Sequence, residues 1–172
     1  MVEAVIWLRL GTPTRIATIV AADGTTAEYN TGTAPNTPAE TLAPAPLGNY
    51  VVEPAGALIR AGGVAPFART HGLAPVSPNI AYLTGSAAPR SPFATTFRVL
   101  DVLPLRPKAV DARLAELAPG RIDIKKRGTD IEPEAFRRRL KKTRITPGGP
   151  ALTVILTRLL GEHRALITER VH

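Results

Sequence analysis

The sequence predicts an α+β protein whose C-terminal half is a two-layer β-α-β-α-β-β domain, preceded by a β-hairpin and a Pro/Gly-rich linker. Three observations carry that expectation. Residues 93–103 (FATTFRVLDVL) alternate in polarity, and the amphipathic stretch 107–117 (PKAVDARLAEL) follows directly. Residues 121–127 (RIDIKKR) alternate again, ahead of a capped helical stretch that starts at Pro133. Two β-branched runs, 152–160 and 164–171, then close the chain around a Gly161-Glu162 turn.

From the N-terminus, residues 2–8 (VEAVIWL) and 15–21 (RIATIVA) read as paired strands separated by Gly11-Thr12-Pro13. Asp23-Gly24 turns the chain toward a short third strand at 25–29. Residues 1–29 therefore form the first unit. Residues 30–48 hold Pro35, Pro38, Pro44 and Pro46 with little aliphatic content, and read as a linker. Residues 49–90 read as a small connecting α/β segment. It contains a strand at 50–53, a broken helix or two short helices interrupted by Gly62-Gly63 and Pro66 and ending near His71-Gly72, and a strand at 80–83. Residues 91–172 are the main domain. In its first strand Phe97, Val99 and Asp101 share one face. In the first helix Val110, Leu114 and Leu117 recur at helical spacing, Pro107 suits the first turn, and Pro119-Gly120 ends it. The second helix is expected from Pro133 to about Lys142, with Glu132 and Glu134 at its positive end and bases at its negative end.

Composition removes several classes of function. The 172 residues contain no cysteine, which excludes disulfides, thiol catalysis and Cys-ligated zinc and fits a reducing compartment, most simply the cytoplasm. The sequence holds no apolar run of membrane-spanning length and no signal-peptide pattern at the N-terminus. His71, His163 and His172 lie in turns or at the chain end, and no metal-ligand spacing, GxSxG or Walker A motif occurs. Gly62-Gly63 lacks a preceding strand, so it reads as packing rather than as a dinucleotide or S-adenosylmethionine loop.

The net charge of +8 is unevenly spread. Residues 121–144 carry ten basic and four acidic side chains, so three quarters of the excess lies in 24 residues. A locally basic stretch on a folded domain is the electrostatic footprint of a polyanion; a solvated charged face is the alternative. On the expected helix Arg137/Lys141 and Arg138/Lys142 are i,i+4 pairs of like charge, which an anion would relieve. The candidate RNA-binding residues are Arg121, Lys125, Lys126, Arg127, Arg137, Arg138, Lys141, Lys142 and Arg144. Phe136 is the lone aromatic among them and sits on the inward stripe. That favours phosphate-backbone contact over base stacking.

Residues 91–170 resemble the THUMP-like domain at the C-terminus of certain bacterial class I S-adenosylmethionine-dependent methyltransferases. The resemblance rests on Ser91-Pro92-Phe93-Ala94, Val99-Leu100-Asp101-Val102-Leu103-Pro104, Ile122-Asp123-Ile124-Lys125-Lys126-Arg127-Gly128, the following Asp130, Pro133-Glu134-Ala135 and Arg137-Arg138-Arg139-Leu140, and the strand 152–158. Tyr82-Leu83-Thr84, residues 56–60 and residues 3–7 are similar to the region before that domain, and residues 1–29 to the last hairpin of the catalytic domain. The resemblance implies an RNA-binding accessory domain, with tRNA as the expected RNA. A methyltransferase domain, in cis or in trans, would supply the catalysis and the S-adenosylmethionine site that this chain lacks. By that reading this chain alone holds no catalytic or cofactor residue. The alternatives are a protein-interaction module that docks on a separate methyltransferase domain through the hairpin, and a methyltransferase in the family sense. Residues 141–150 (KKTRITPGGP) look longer and more basic than the usual turn there.

Overall fold

A computed structural model describes residues 14–171, so the expected strand at 2–8 lies outside the described residues. The strand after it is present as β1 (Ile16–Val20). It pairs antiparallel with β2 (Thr26–Asn30) around the Asp23-Gly24 turn, where the Asp23 carboxylate accepts from the Thr25 N–H. Then come β3 (Tyr50–Pro54), α1 (Gly56–Arg60), α2 (Val64–Thr70), β4 (Ala74–Pro75) and β5 (Leu83–Gly85). The main domain contributes β6 (Ala94–Pro104), α3 (Pro107–Leu117), β7 (Arg121–Lys126), α4 (Pro133–Arg137), β8 (Ala151–Leu159) and β9 (Glu162–Arg170).

Strands β3 to β9 form one seven-stranded sheet in the order β4-β5-β3-β6-β9-β8-β7. Neighbours are antiparallel except β7 and β8, which the crossover through α4 makes parallel. Residues 49–90 therefore extend the sheet of the main domain: β3 runs beside β6 from Tyr50↔Arg98 to Pro54↔Ala94. The strand expected at 80–83 starts later, at Leu83. Ile80 and Tyr82 instead pack into the sheet with Val51, Val76, Phe97, Ile155 and Leu166.

The two faces are covered differently. On one face α1 and α2 bring Leu58, Phe67 and Ala68 onto Val52, with Tyr29 of the β1–β2 hairpin packed against the same cluster. Further along that face α3 and α4 bring Val110, Leu114 and Phe136 onto Ile122, Leu152, Val154, Leu156 and Ile167. The opposite face receives the loop 76–82. It is tied to the β8–β9 turn by Leu160 N–H to Val76 O and by Gly161 N–H to the Ser77 hydroxyl at 2.9 Å.

Strand β6 departs from simple alternation. A bulge between Val99 and Asp101 shifts its register against β9. Val99 packs on the loop-covered face and Leu100 on the helix-covered face. Asp101 meets Arg113 of α3 at 2.7 Å, so Asp101 does not share the face of Phe97 and Val99.

Gly128 follows β7 with φ +77°, and a Cβ there would sit 2.3 Å from Ile80 Cδ1. Strain and overlap act together at this position. Gly128→Ala is expected to cost about 1–3 kcal/mol in urea unfolding.

Candidate nucleic-acid interface

The cations at the end of β7 meet acidic partners from other elements. Lys125 Nζ lies 2.8 Å from Glu53 Oε2, and Arg127 reaches Glu53 Oε1 at 3.9 Å. Glu53 stands on β3, and β6, β9 and β8 lie between β3 and β7. Four inter-strand spacings in a flat sheet amount to about 19 Å. That exceeds the combined reach of a lysine and a glutamate, so the sheet curls until its two arms meet. Inside the curl Lys125 Nζ lies 5.9 Å from the Phe97 ring centre and Arg127 5.2 Å from that of Tyr82. Burial, then the charge of Glu53, pushes the Tyr82 hydroxyl far above its ordinary pKa, so the phenol stays neutral.

The neighbouring bases are engaged as well. Lys126 pairs with Glu132. Arg121 pairs with Asp123 at 3.1 Å. Arg137 donates to the Ile122 carbonyl at 2.9 Å and has Glu134 at 3.9 Å.

Helix α4 is shorter than the sequence predicts. It ends at Arg137, and the 138–140 segment closes in tight turns, Arg139 N–H to Phe136 O and Leu140 N–H to Arg137 O. Arg137/Lys141 and Arg138/Lys142 are therefore not i,i+4 helix pairs. The cause sits on α3. The Asp111 carboxylate accepts the backbone N–H groups of Lys141 (2.8 Å), Lys142 (2.9 Å) and Thr143 (2.9 Å), and the Thr143 hydroxyl at 2.8 Å. Those amides cannot also continue a helical ladder. Phe136, 1% exposed, anchors the short helix on the core, and Gly149 fits against Pro119-Gly120, where a Cβ would lie 2.2 Å from the Ala118 carbonyl. The segment between the two anchors is held as an arc.

The arc presents the free charge. Arg138, Arg139, Lys141 and Lys142 are exposed, and among the described residues their side chains meet no carboxylate. Arg144 folds back onto the carbonyls of Lys141 and Thr143. Lys108, exposed on α3 one turn before Asp111, adds a cation on the same helix face. Of the nine sequence-predicted site residues, the structure thus brings Arg138, Lys141, Lys142 and Arg144 together on the arc. It ties Arg121, Lys125, Lys126, Arg127 and Arg137 into contacts of the fold.

Comparison with known proteins is consistent with this architecture. The THUMP domain-like family matches residues 94–170, from β6 to β9. The match takes in somewhat less than half of the chain. Uncharacterized S-adenosylmethionine-dependent methyltransferases from two strains of Mycobacterium tuberculosis are each 38% identical to the chain over 114 residues. The match covers 66% of this chain and 30% of either relative. A crystal structure from Porphyromonas gingivalis, described as that of a candidate methyltransferase, superposes with a TM-score of 0.63 at 22% identity, over 98% of this chain and 37% of that one. The chain thus spans about a third of the length of the proteins it matches.

The structure places the glycine pair Gly62-Gly63 at the junction of α1 and α2. Gly63 sits between α1 and α2, and a Cβ there would meet Leu58 Cδ1 at 2.5 Å, so that glycine serves packing. Of the histidines, His163 accepts from Arg158 at 3.1 Å and His71 packs on Phe67, while His172 lies outside the described residues. Among the described residues no cluster of His, Asp and Glu could hold a metal ion, and no helix is long and apolar enough to cross a membrane.

Sequence reasoning missed Glu53 and Asp111. Asp111 left a signal, since it falls within the apolar stripe of Val110, Leu114 and Leu117, where an acid requires a partner. Glu53 left none, because its partners lie more than 70 residues away. Burial raises the Asp111 pKa, but the N–H groups of Lys142 and Thr143, the Thr143 hydroxyl and the Lys141 N–H outweigh it and hold the carboxyl below its ordinary value. A depressed carboxyl stabilises the fold above its unfolded pKa, and the contribution fades as pH falls through the folded value. Asp111→Asn should therefore lose about 2–3 kcal/mol in urea unfolding at neutral pH. The gap from the parent should narrow below about pH 4, where the parent carboxyl also protonates.

Proposed function

We propose that this chain is the RNA-binding accessory part of an S-adenosylmethionine-dependent methyltransferase, acting in the cytoplasm. The arc 138–144 grips the phosphate backbone of a structured RNA such as tRNA, and the domain presents a base to a catalytic domain in cis or in trans. The cofactor and the transfer chemistry belong to that catalytic domain. The observation that carries the reading is the set of four cations left without carboxylates on an anchored arc. Arginine and lysine of this kind suit contacts that follow backbone shape without reading sequence. The THUMP-like fold and the methyltransferase relatives support the same context. The cations of β7 act here by shaping the domain rather than by holding RNA.

Titration of labelled bulk tRNA at several salt concentrations tests this reading. Charge reversal at Arg138, Arg139, Lys141 and Lys142 should weaken binding at least tenfold at physiological salt. It should also flatten the log–log salt dependence by roughly 0.7–0.9 per lost phosphate contact. Lys125→Met with Arg127→Met should leave the slope in place while lowering stability by about 1–2 kcal/mol, since Glu53 loses both partners. Unchanged tRNA binding in the arc variant would refute the reading.

A second reading has one observation in its favour. On β1 the outward side chains Ile16 and Val20 are 47% and 67% exposed, while Ala17 on the other face is buried. An apolar outer strand face suits docking on a separate methyltransferase domain. Ile16→Ser with Val20→Ser should then abolish co-elution with such a domain while leaving tRNA affinity unchanged.

A further inference from the structure

The C-terminal end of β9 separates two neighbouring charges by strand alternation. Glu169 faces Arg98 of β6 and pairs with it. Arg170 turns to the other face, opposite Phe97, and meets no carboxylate among the described residues. Arg90, in the loop before β6, has none either. Both arginines line one open cavity of about 650 Å³. Its remaining polar lining comes from Ser91, Thr95 and Thr96, and no acidic residue among the described ones takes part. The walls are braced from within: the Ser91 hydroxyl accepts the Phe93 N–H at 3.2 Å, and the Thr96 hydroxyl donates to the Pro89 carbonyl at 3.4 Å. Among the described residues the Thr95 hydroxyl, opposite the lysine-paired Glu53 on β3, meets no hydrogen-bond partner.

We propose that this cavity binds the terminal phosphate of a nucleotide. Two guanidinium groups that meet no carboxylate among the described residues match the charge of a phosphomonoester, about −1.5 to −2 at neutral pH, better than the single charge of a phosphodiester. The Thr95 hydroxyl supplies a further donor. The volume far exceeds one phosphate and falls within the roughly 300–1,000 Å³ of small-ligand sites, so a nucleoside fits behind the phosphate. Ala88, Pro89, Ala94 and Val171 give that nucleoside an apolar wall. The phosphomonoester is either that of a free nucleotide or the end of a strand. The site does not rest on the arc 138–144.

Calorimetric titration of the full chain with a 5′-phosphorylated RNA pentamer, its 5′-hydroxyl twin and AMP tests the assignment. The phosphorylated pentamer should bind at least tenfold more tightly than its twin. Arg170→Ala should erase that advantage, and so should Arg90→Glu, which lies outside any strand and spares the sheet. The arc variant should keep it, which separates this site from the tRNA surface. AMP binding equal to that of the phosphorylated pentamer assigns the free nucleotide; AMP binding tenfold weaker assigns the strand end. Equal affinity for the two pentamers, or an advantage that survives both arginine variants, overturns the proposal.

Discussion

Three strands separate Glu53 from the lysine and arginine it engages, and bringing them together bends the whole sheet. Each contact by itself is modest, because Lys125 and Arg127 remain partly exposed. Their effect lies in where they act. The curl creates the hollow that receives Ile80 and Tyr82, and Arg127 lies over the Tyr82 ring at the mouth of that hollow. The loop 76–82 in turn holds the β8–β9 turn through Val76 and Ser77. Gly128 takes φ +77° beside Ile80, and a Cβ there would push the Ile80 side chain aside. Segment 49–90 and the segment from β6 to β9 are thereby joined by β3 pairing along β6 and by a charge contact across the open side.

Asp111 plays the corresponding part for the basic arc 138–144. A buried carboxylate needs hydrogen-bond donors, and the nearest are main-chain amides of the segment after α4. In taking three of them it ends the helix early and turns the chain outward. The backbone of the arc is thus fixed by an acid whose own charge is enclosed, and the basic side chains project from it. The same interaction fixes the loop and leaves its cations free.

The main domain was legible because its signals were local. Alternation gave β6, β7, β8 and β9 to within two residues, and helical spacing with Pro107 and Pro119 gave both ends of α3. The break at Gly62-Gly63 gave two short helices, α1 and α2. The errors came where long-range contacts decide. Residues 137–142 have good helix formers, yet the partner that stops the helix is on α3, 30 residues earlier in sequence. Ile80 and Tyr82 look like a strand, yet the hollow they fill exists only once Glu53 has closed the sheet. Alternation placed Lys125 and Arg127 on the face away from α3 and α4. It did not indicate that this face curls inward.

Pairing also redistributes the charge that first suggested a polyanion partner. Within 121–144 the acids Asp123, Glu132 and Glu134 lie beside Arg121, Lys126 and Arg137. Glu53, from outside the stretch, neutralises the strand end. Within 121–144 the cations left without carboxylates are those of the arc, a smaller area than the sequence total suggested. A polyanion would meet cations whose backbone is rigid and whose side chains are long and adaptable. Such an arrangement holds a phosphate chain at a set distance from the sheet while tolerating different bases along it. The accessory role proposed above would draw on both properties: fixed placement and indifference to sequence.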